Sequence, residues 1–210
     1  TNSDIYLYDL TTGEELQITT DLKNQKFPAI SGDRIVWMDY RNGESNSDIY
    51  LYDLTTGEER QITTDLNTQA YPAISGDRIV WEDYRNVGTS GNTDIYLYDL
   101  TTGEERQVTT DPHGQFSPDI SGDKIVWQDN REGYEDIYLY NLKTQGELRI
   151  TSHPYIQVAP AISENVITWV DYRDGNPDIY LAKLTPETPA PVIGKIAEPI
   201  GGDNIYRSIE

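Results

Sequence analysis

The chain has 210 residues, 36% of them hydrophobic, and its 36 acidic against 16 basic side chains give a net charge of −20. That length can bury a substantial core, while so acidic a surface argues against nucleic acid, whose phosphates require clustered Lys and Arg, and against anionic membranes. With no Cys, disulfides and thiolate metal sites are excluded, and no run of 18 apolar residues offers a membrane span.

The chain opens at Thr1 without a leader, as expected of a processed or excised segment, and carries no Asn-x-Ser/Thr sequon. In chain order, residues 1–20 read as two strands, with Asp-Ile-Tyr-Leu at Asp4 leading the first. A full unit follows. Phe27–Ser31 is a short apolar run with Pro28 near its start, tolerated early in a strand. Gly32-Asp33 is a turn. Arg34–Tyr40 is rich in β-branched and aromatic residues and reads as a second strand. Arg41–Ser47 is a polar loop, Asp48–Leu54 a third strand, Thr55–Glu58 a hairpin turn and Glu59–Thr63 a fourth, more polar strand.

The unit then recurs. Asp-Ile-Tyr-Leu opens at Asp4, Asp48, Asp94, Asp136 and Asp178, at spacings of 44, 46, 42 and 42 residues. Four short antiparallel strands in that period are the signature of a propeller blade, whose two faces are buried only by neighbouring blades. All four tryptophans, Trp37, Trp81, Trp127 and Trp169, occupy one position of the unit, which predicts packing between blades. The expected fold is an all-β, five-bladed β-propeller of four-stranded antiparallel blades. Blade 1 combines 1–20 with 197–210, and blades 2 to 5 are 27–63, 71–109, 117–151 and 159–195. The closing pair rests on Glu198–Tyr206, which echoes Pro28–Val36. A fragment of a larger propeller is the alternative. Residues 4–41 and 48–85 differ at six of 38 positions: Leu16/Arg60, Lys23/Asn67, Asn24/Thr68, Lys26/Ala70, Phe27/Tyr71 and Met38/Glu82. Copies so similar point to recent duplication or a consensus origin, and favour a regular array.

Pro28, Ser31, Asp33, Ile35 and Trp37, then Asp48-Ile-Tyr50, Asp53-Leu54, Thr56-Gly-Glu58 and Ile62-Thr63, resemble the repeats of TolB-like (WD-type) β-propellers. The resemblance covers almost the whole chain and is strongest to the tandem propellers of large archaeal and bacterial cell-surface proteins. It implies a binding or scaffolding module, since the periplasmic member of the family binds protein partners, and it transfers no catalytic motif. Family propellers commonly have six or seven blades, so five is a departure.

Variation marks where a ligand would sit. The loop after the second strand changes length between copies, with 7, 9, 5 and 5 residues from the Arg at its start to the next Asp-Ile-Tyr. The connection between blades also changes: Leu22-Lys-Asn-Gln, Leu66-Asn-Thr-Gln, Pro112-His-Gly-Gln and Pro154-Tyr-Ile-Gln. In propellers both lie on one face, and loop diversity on one face marks binding. Two sets of candidate ligand-binding residues recur there. Gln25, Gln69, Gln115 and Gln157 either hydrogen-bond a polar ligand such as a sugar or cap neighbouring strand ends. Arg41, Arg85, Arg131 and Arg173, each two residues after an Asp, either recognise acidic groups or bridge adjacent loops or blades.

Asp171, Asp174, Asn176 and Asp178 place oxygens in one short loop, but at no EF-hand spacing, and Asp and Asn are ordinary turn residues. His113 and His153 are the two histidines, and no third ligand accompanies them for zinc. For a glycoside hydrolase, the carboxylates unlike their counterparts in other blades are Asp119 and Glu198. The reading is a non-enzymatic, monomeric interaction module, without cofactor or metal, secreted or on a cell surface, with the periplasm as alternative. It binds protein through the loop-diverse face. A lectin-like glycan-binding propeller is one alternative and a glycoside hydrolase the other.

Overall fold

A computed structural model describes residues 2–43, 45–87 and 92–185, together with the backbone of 192–195. The described strands form five antiparallel sheets, one of two strands and four of four. The first holds β1 (Tyr6–Tyr8) and β2 (Glu15–Gln17). Blade 2 runs β3 (Gln25–Ser31), β4 (Arg34–Asp39), β5 (Asp48–Asp53) and β6 (Glu58–Gln61). Blade 3 runs β7 (Gln69–Ser75), β8 (Arg78–Asp83), β9 (Asp94–Asp99) and β10 (Glu104–Gln107). Blade 4 is β11 (Gln115–Ser121), β12 (Lys124–Asp129), β13 (Asp136–Asn141) and β14 (Gly146–Arg149). Blade 5 is β15 (Gln157–Ser163), β16 (Val166–Asp171), β17 (Asp178–Lys183) and β18 (Val192–Lys195). Strand order within each four-stranded sheet follows chain order, as in a meander. The inner strands begin at the glutamines, two residues earlier than the apolar run alone predicts. The closing strands expected in 197–210 lie outside the described residues.

The chain divides into two compact units, residues 1–112 and 113–210. In the first, Val36, Ile49, Leu51 and Ile62 of blade 2 form one core with Ile74, Ile79, Trp81 and Tyr96 of blade 3. A second core joins Ile5 and Ile18 to Ile35, Trp37 and Tyr50. In the second unit, Val126, Ile137, Leu139 and Ile150 of blade 4 pack on Ile162, Ile167, Trp169 and Tyr180 of blade 5. Trp37, Trp81 and Trp169 therefore sit between blades, as their recurrence predicts, and all four tryptophans are at most 1% exposed. Alternation along each strand sends one row of apolar side chains to each neighbour, so a single blade has no core of its own.

Turn chemistry fixes the register. Gly32, Gly76 and Gly122 take φ of 57° between the first two strands of their blades, and Glu164 holds the same left-handed turn in blade 5. Asp53 caps the next hairpin by accepting the Thr55 and Thr56 amides at 2.9 and 3.1 Å. Each of the four described inner strands also carries a bulge, between Lys26 and Ala29, Ala70 and Ala73, Phe116 and Asp119, and Val158 and Ala161. The bulged residues Phe27, Tyr71, Ser117 and Ala159 all adopt φ near 50°, a conformation rare for bulky side chains.

Candidate functional site

One arrangement of side chains repeats in four blades. The indole Nε1 of Trp37, Trp81, Trp127 and Trp169 donates to Asp39, Asp83, Asp129 and Asp171 at 2.8, 2.9, 3.0 and 3.0 Å. Each of these carboxylates is 0% exposed and also accepts the backbone amide of the Arg two residues on. That Arg binds the same carboxylate through its guanidinium, at 2.7 Å for Arg41 and Arg85, 2.6 Å for Arg131 and 2.5 Å for Arg173. Its plane covers the ring of Tyr50, Tyr96, Tyr138 or Tyr180 at 4.1 to 4.3 Å. The tyrosine in turn stacks on the tryptophan. Arg41, Arg85 and Arg131 reach further, to Glu59, Glu105 and Glu147 on the outer strands, at 2.6 to 2.8 Å.

The arginine set thus bridges strands within its own blade, rather than adjacent loops or blades. Period-2 alternation places Trp and Asp on one side of the second strand, and the tight turn after it folds the Arg back. Burial opposes the charge on Arg41, but the hydrogen bonds it donates to Asp39 and Glu59 outweigh that and hold the guanidinium above its ordinary pKa. Burial likewise pushes the Asp171 carboxyl up, yet the bonds from Arg173 and Trp169 win and leave it below 3.8.

The glutamine set is buried. Gln25, Gln69, Gln115 and Gln157 are at most 1% exposed. Their amides donate to the carbonyls of Lys23, Asn67 and His113 at 2.8, 2.5 and 2.5 Å, and to that of Tyr155. Each side chain therefore closes the connection that precedes its own strand.

Both kinds of varied segment meet, as loop divergence predicts. In the first unit the Gln69 backbone N–H donates to Ser47 O at 2.8 Å, and Thr68 Oγ1 donates to Ser45 O at 3.2 Å. In the second, the Gln157 backbone N–H donates to Glu135 O at 2.8 Å. At the tips stand Leu22 and Leu66, 90% and 89% exposed, and in the second unit Tyr155 and Ile156, 54% and 39% exposed. The leading Asp of blades 2 and 3 anchors the varied loop before it, and that of blade 4 binds the outer strand. Asp48 and Asp94 accept Asn42 and Asn86 at 2.8 Å, and Asp136 accepts Arg149 at 2.7 Å. Burial raises the pKa of all three.

In the Asp171–Asp178 loop, Asp171 faces Trp169 and Arg173, and Asp174 accepts the Tyr180 hydroxyl at 3.1 Å. Among the described residues, no group of three or more His, Asp and Glu is placed to hold a metal ion. His153 stacks on Tyr155 at 5.5 Å. Asp119 accepts the Ile162 amide at 2.7 Å and the Ile120 amide at 2.9 Å, one on each carboxyl oxygen, which ties blade 4 to blade 5. Burial raises its pKa against those two bonds. Glu198 lies outside the described residues.

Sequence reasoning missed one cluster, in the first unit. Phe27 and Tyr71, both at the bulge, have ring centroids 4.6 Å apart and are 47% and 43% exposed. Beside them stand Tyr40, with the Lys26 ammonium 5.6 Å from its ring centre, and Tyr84, whose hydroxyl donates to Glu82 at 3.0 Å. Glu82 is 2% exposed. Burial raises Tyr84 well above the ordinary phenol range, with Glu82, Tyr71 and Tyr40 adding to the effect, so these groups lie within electrostatic reach of one another. A signal was available in the sequence. Three of the six differences between the near-identical repeats, Lys26/Ala70, Phe27/Tyr71 and Met38/Glu82, fall here.

No protein-family model and no curated protein sequence matches the chain. Solved structures do share its fold. TolB from Acinetobacter baumannii matches with a TM-score of 0.71 at 19% identity, over 91% of this chain and 48% of that one. The putative TolB from Agrobacterium tumefaciens gives 0.70 at 20%, over 90% and 72%. An oligogalacturonate lyase in complex with manganese gives 0.67 at 15%, over 93% and 59%. The chain therefore shares the all-β fold of TolB-like β-propellers, and it spans about half the length of the first of these structures. The neighbours include an enzyme, so the shared fold carries no single activity.

Proposed function

We propose that the chain is a non-enzymatic interaction module of an exported protein, at the cell surface or in the periplasm, that docks a partner protein on its varied loops. The observation that carries this is the pair Leu22 and Leu66, held almost fully exposed at the tips of successive blade connections. What distinguishes the two is their place on the connections that differ between copies, where a partner covering the varied loops buries both. The likeness to TolB supports the same class of role. Asp119, the described carboxylate best suited to hydrolysis by its singularity, has an amide on each oxygen, which supports a structural duty over a catalytic one.

Cross-linking mass spectrometry on the chain in its native envelope fraction tests this. Cross-links to one partner should concentrate at residues 21–24, 42–47 and 65–68 and vanish in the Leu22→Ser, Leu66→Ser double variant. Cross-links spread evenly over the surface, or unchanged in that variant, overturn it.

A further inference from the structure

The two near-identical repeats are their own control. In blade 2, Lys26 pairs across the strands with Met38 and holds its ammonium over Tyr40. In blade 3 the same pair is Ala70 and Glu82, beside Tyr84. One of two equivalent aromatic positions thus carries an exposed cation and the other a buried acid. The exposed faces of Phe27 and Tyr71 lie next to it, in a chain of net charge −20.

The geometry points to an alkylammonium-binding site in the first unit, with Phe27 and Tyr71 as its exposed walls, Tyr40 and Tyr84 beside them and Glu82 as the buried counter-charge. The ligand class follows from three properties. Aromatic faces attract cations, most strongly those that shed water easily, as alkylated ammonium does. A buried carboxylate in low dielectric strengthens that attraction without offering the several oxygens a metal ion needs. Lys26 over Tyr40 already shows an ammonium held by this surface.

Backbone strain supports a selected site. All four bulges have φ near 50°, but Ser117 and Ala159 fill theirs with small side chains. Phe27 and Tyr71 place bulky rings in that conformation and leave them nearly half exposed, so burial offsets the strain only in part. This site is independent of the docking reading, because neither Leu22 nor Leu66 belongs to it.

Ligand-observed NMR titration tests it, with tetramethylammonium as one probe and n-butylammonium as the other, against sodium at equal ionic strength. Saturable upfield shifts of the probe protons are expected, with Kd on the order of 1 mM. The stronger probe separates a quaternary ligand from a lysine side chain. Tyr71→Ser and Glu82→Gln install the residues that blade 4 carries at the same positions, Ser117 and Gln128, and should each weaken binding about tenfold. Lys26→Ala alters an exposed side chain, removes a competing charge and should tighten binding. Shifts that do not saturate, that sodium reproduces, or that persist unchanged in folded Tyr71→Ser overturn the assignment. If Tyr71→Ser fails to fold, unchanged or weaker binding by Lys26→Ala does so instead.

Discussion

Two regions of each blade obey opposite rules. The Trp–Asp–Arg–Tyr stack is repeated almost without change, is buried, and is closed by hydrogen bonds on every copy. The inner-strand bulge keeps one backbone conformation in four blades while its side chain changes from Phe27 to Tyr71, Ser117 and Ala159. The difference separates what the repeat needs to be a blade from what each blade is free to offer a ligand. Stability is concentrated in the first region and individuality in the second.

Breaking the stack should have the largest effect. Trp81→Ala removes a fully buried ring from the core between blades 2 and 3 and should cost about 3–5 kcal/mol, measured by urea denaturation. Asp83→Ala leaves the Trp81 indole and the Arg85 guanidinium without their shared acceptor and should cost about 2–4 kcal/mol in the same assay. A cost as small as that of Tyr71→Ser for either variant would erase the distinction drawn here.

A sharper comparison uses one position in two copies. Ile74 is 8% exposed and packs on blade 2, whereas its equivalent Ile30 is 55% exposed. Ile74→Ala should cost about 2–4 kcal/mol and Ile30→Ala less than about 1 kcal/mol. Equal losses would mean that Ile30 is covered in solution.

Acid should weaken the stack selectively. The Asp171 carboxyl sits below its unfolded value of 3.8, so its contribution is complete above that pH and lost as pH falls through the folded value. Asp171→Asn should therefore flatten the fall in thermal stability below about pH 4. Asp136 is raised by burial, so its carboxylate opposes folding above its folded pKa, and stability gains as pH falls through that value. Asp136→Asn should remove that opposite slope, and the same sign for both variants would contradict the assignment. The smallest effect on stability belongs to the bulge. Tyr71→Ser should change it by less than about 1 kcal/mol, since half the ring is already in water.

Much of the architecture was legible because local rules agree. β-branched and aromatic runs, Gly-Asp turns and a repeated Trp each point to the same four-stranded unit, and the structure places these elements as read. The meeting of the two varied segments was also legible, from divergence alone. The partners of individual side chains were not. Arg41 and its equivalents show in sequence as an Asp-x-Arg spacing, which does not say whether the guanidinium turns outward, to the next blade or back onto its own tyrosine. The singular Asp119 drew attention as a carboxylate, and only the packing of blade 5 revealed the amide it binds.

By itself the sequence determined the period, the strands, the acidic surface and the positions where copies differ, because these depend on near neighbours in the chain. Tertiary structure alone decided that Phe27 and Tyr71, 44 residues apart, bring their partly exposed rings together beside Lys26, Tyr40 and Tyr84, with Glu82 buried against the Tyr84 hydroxyl. Contacts between blades are set by how the sheets pack, and no periodicity within a blade encodes which differing residues will face one another.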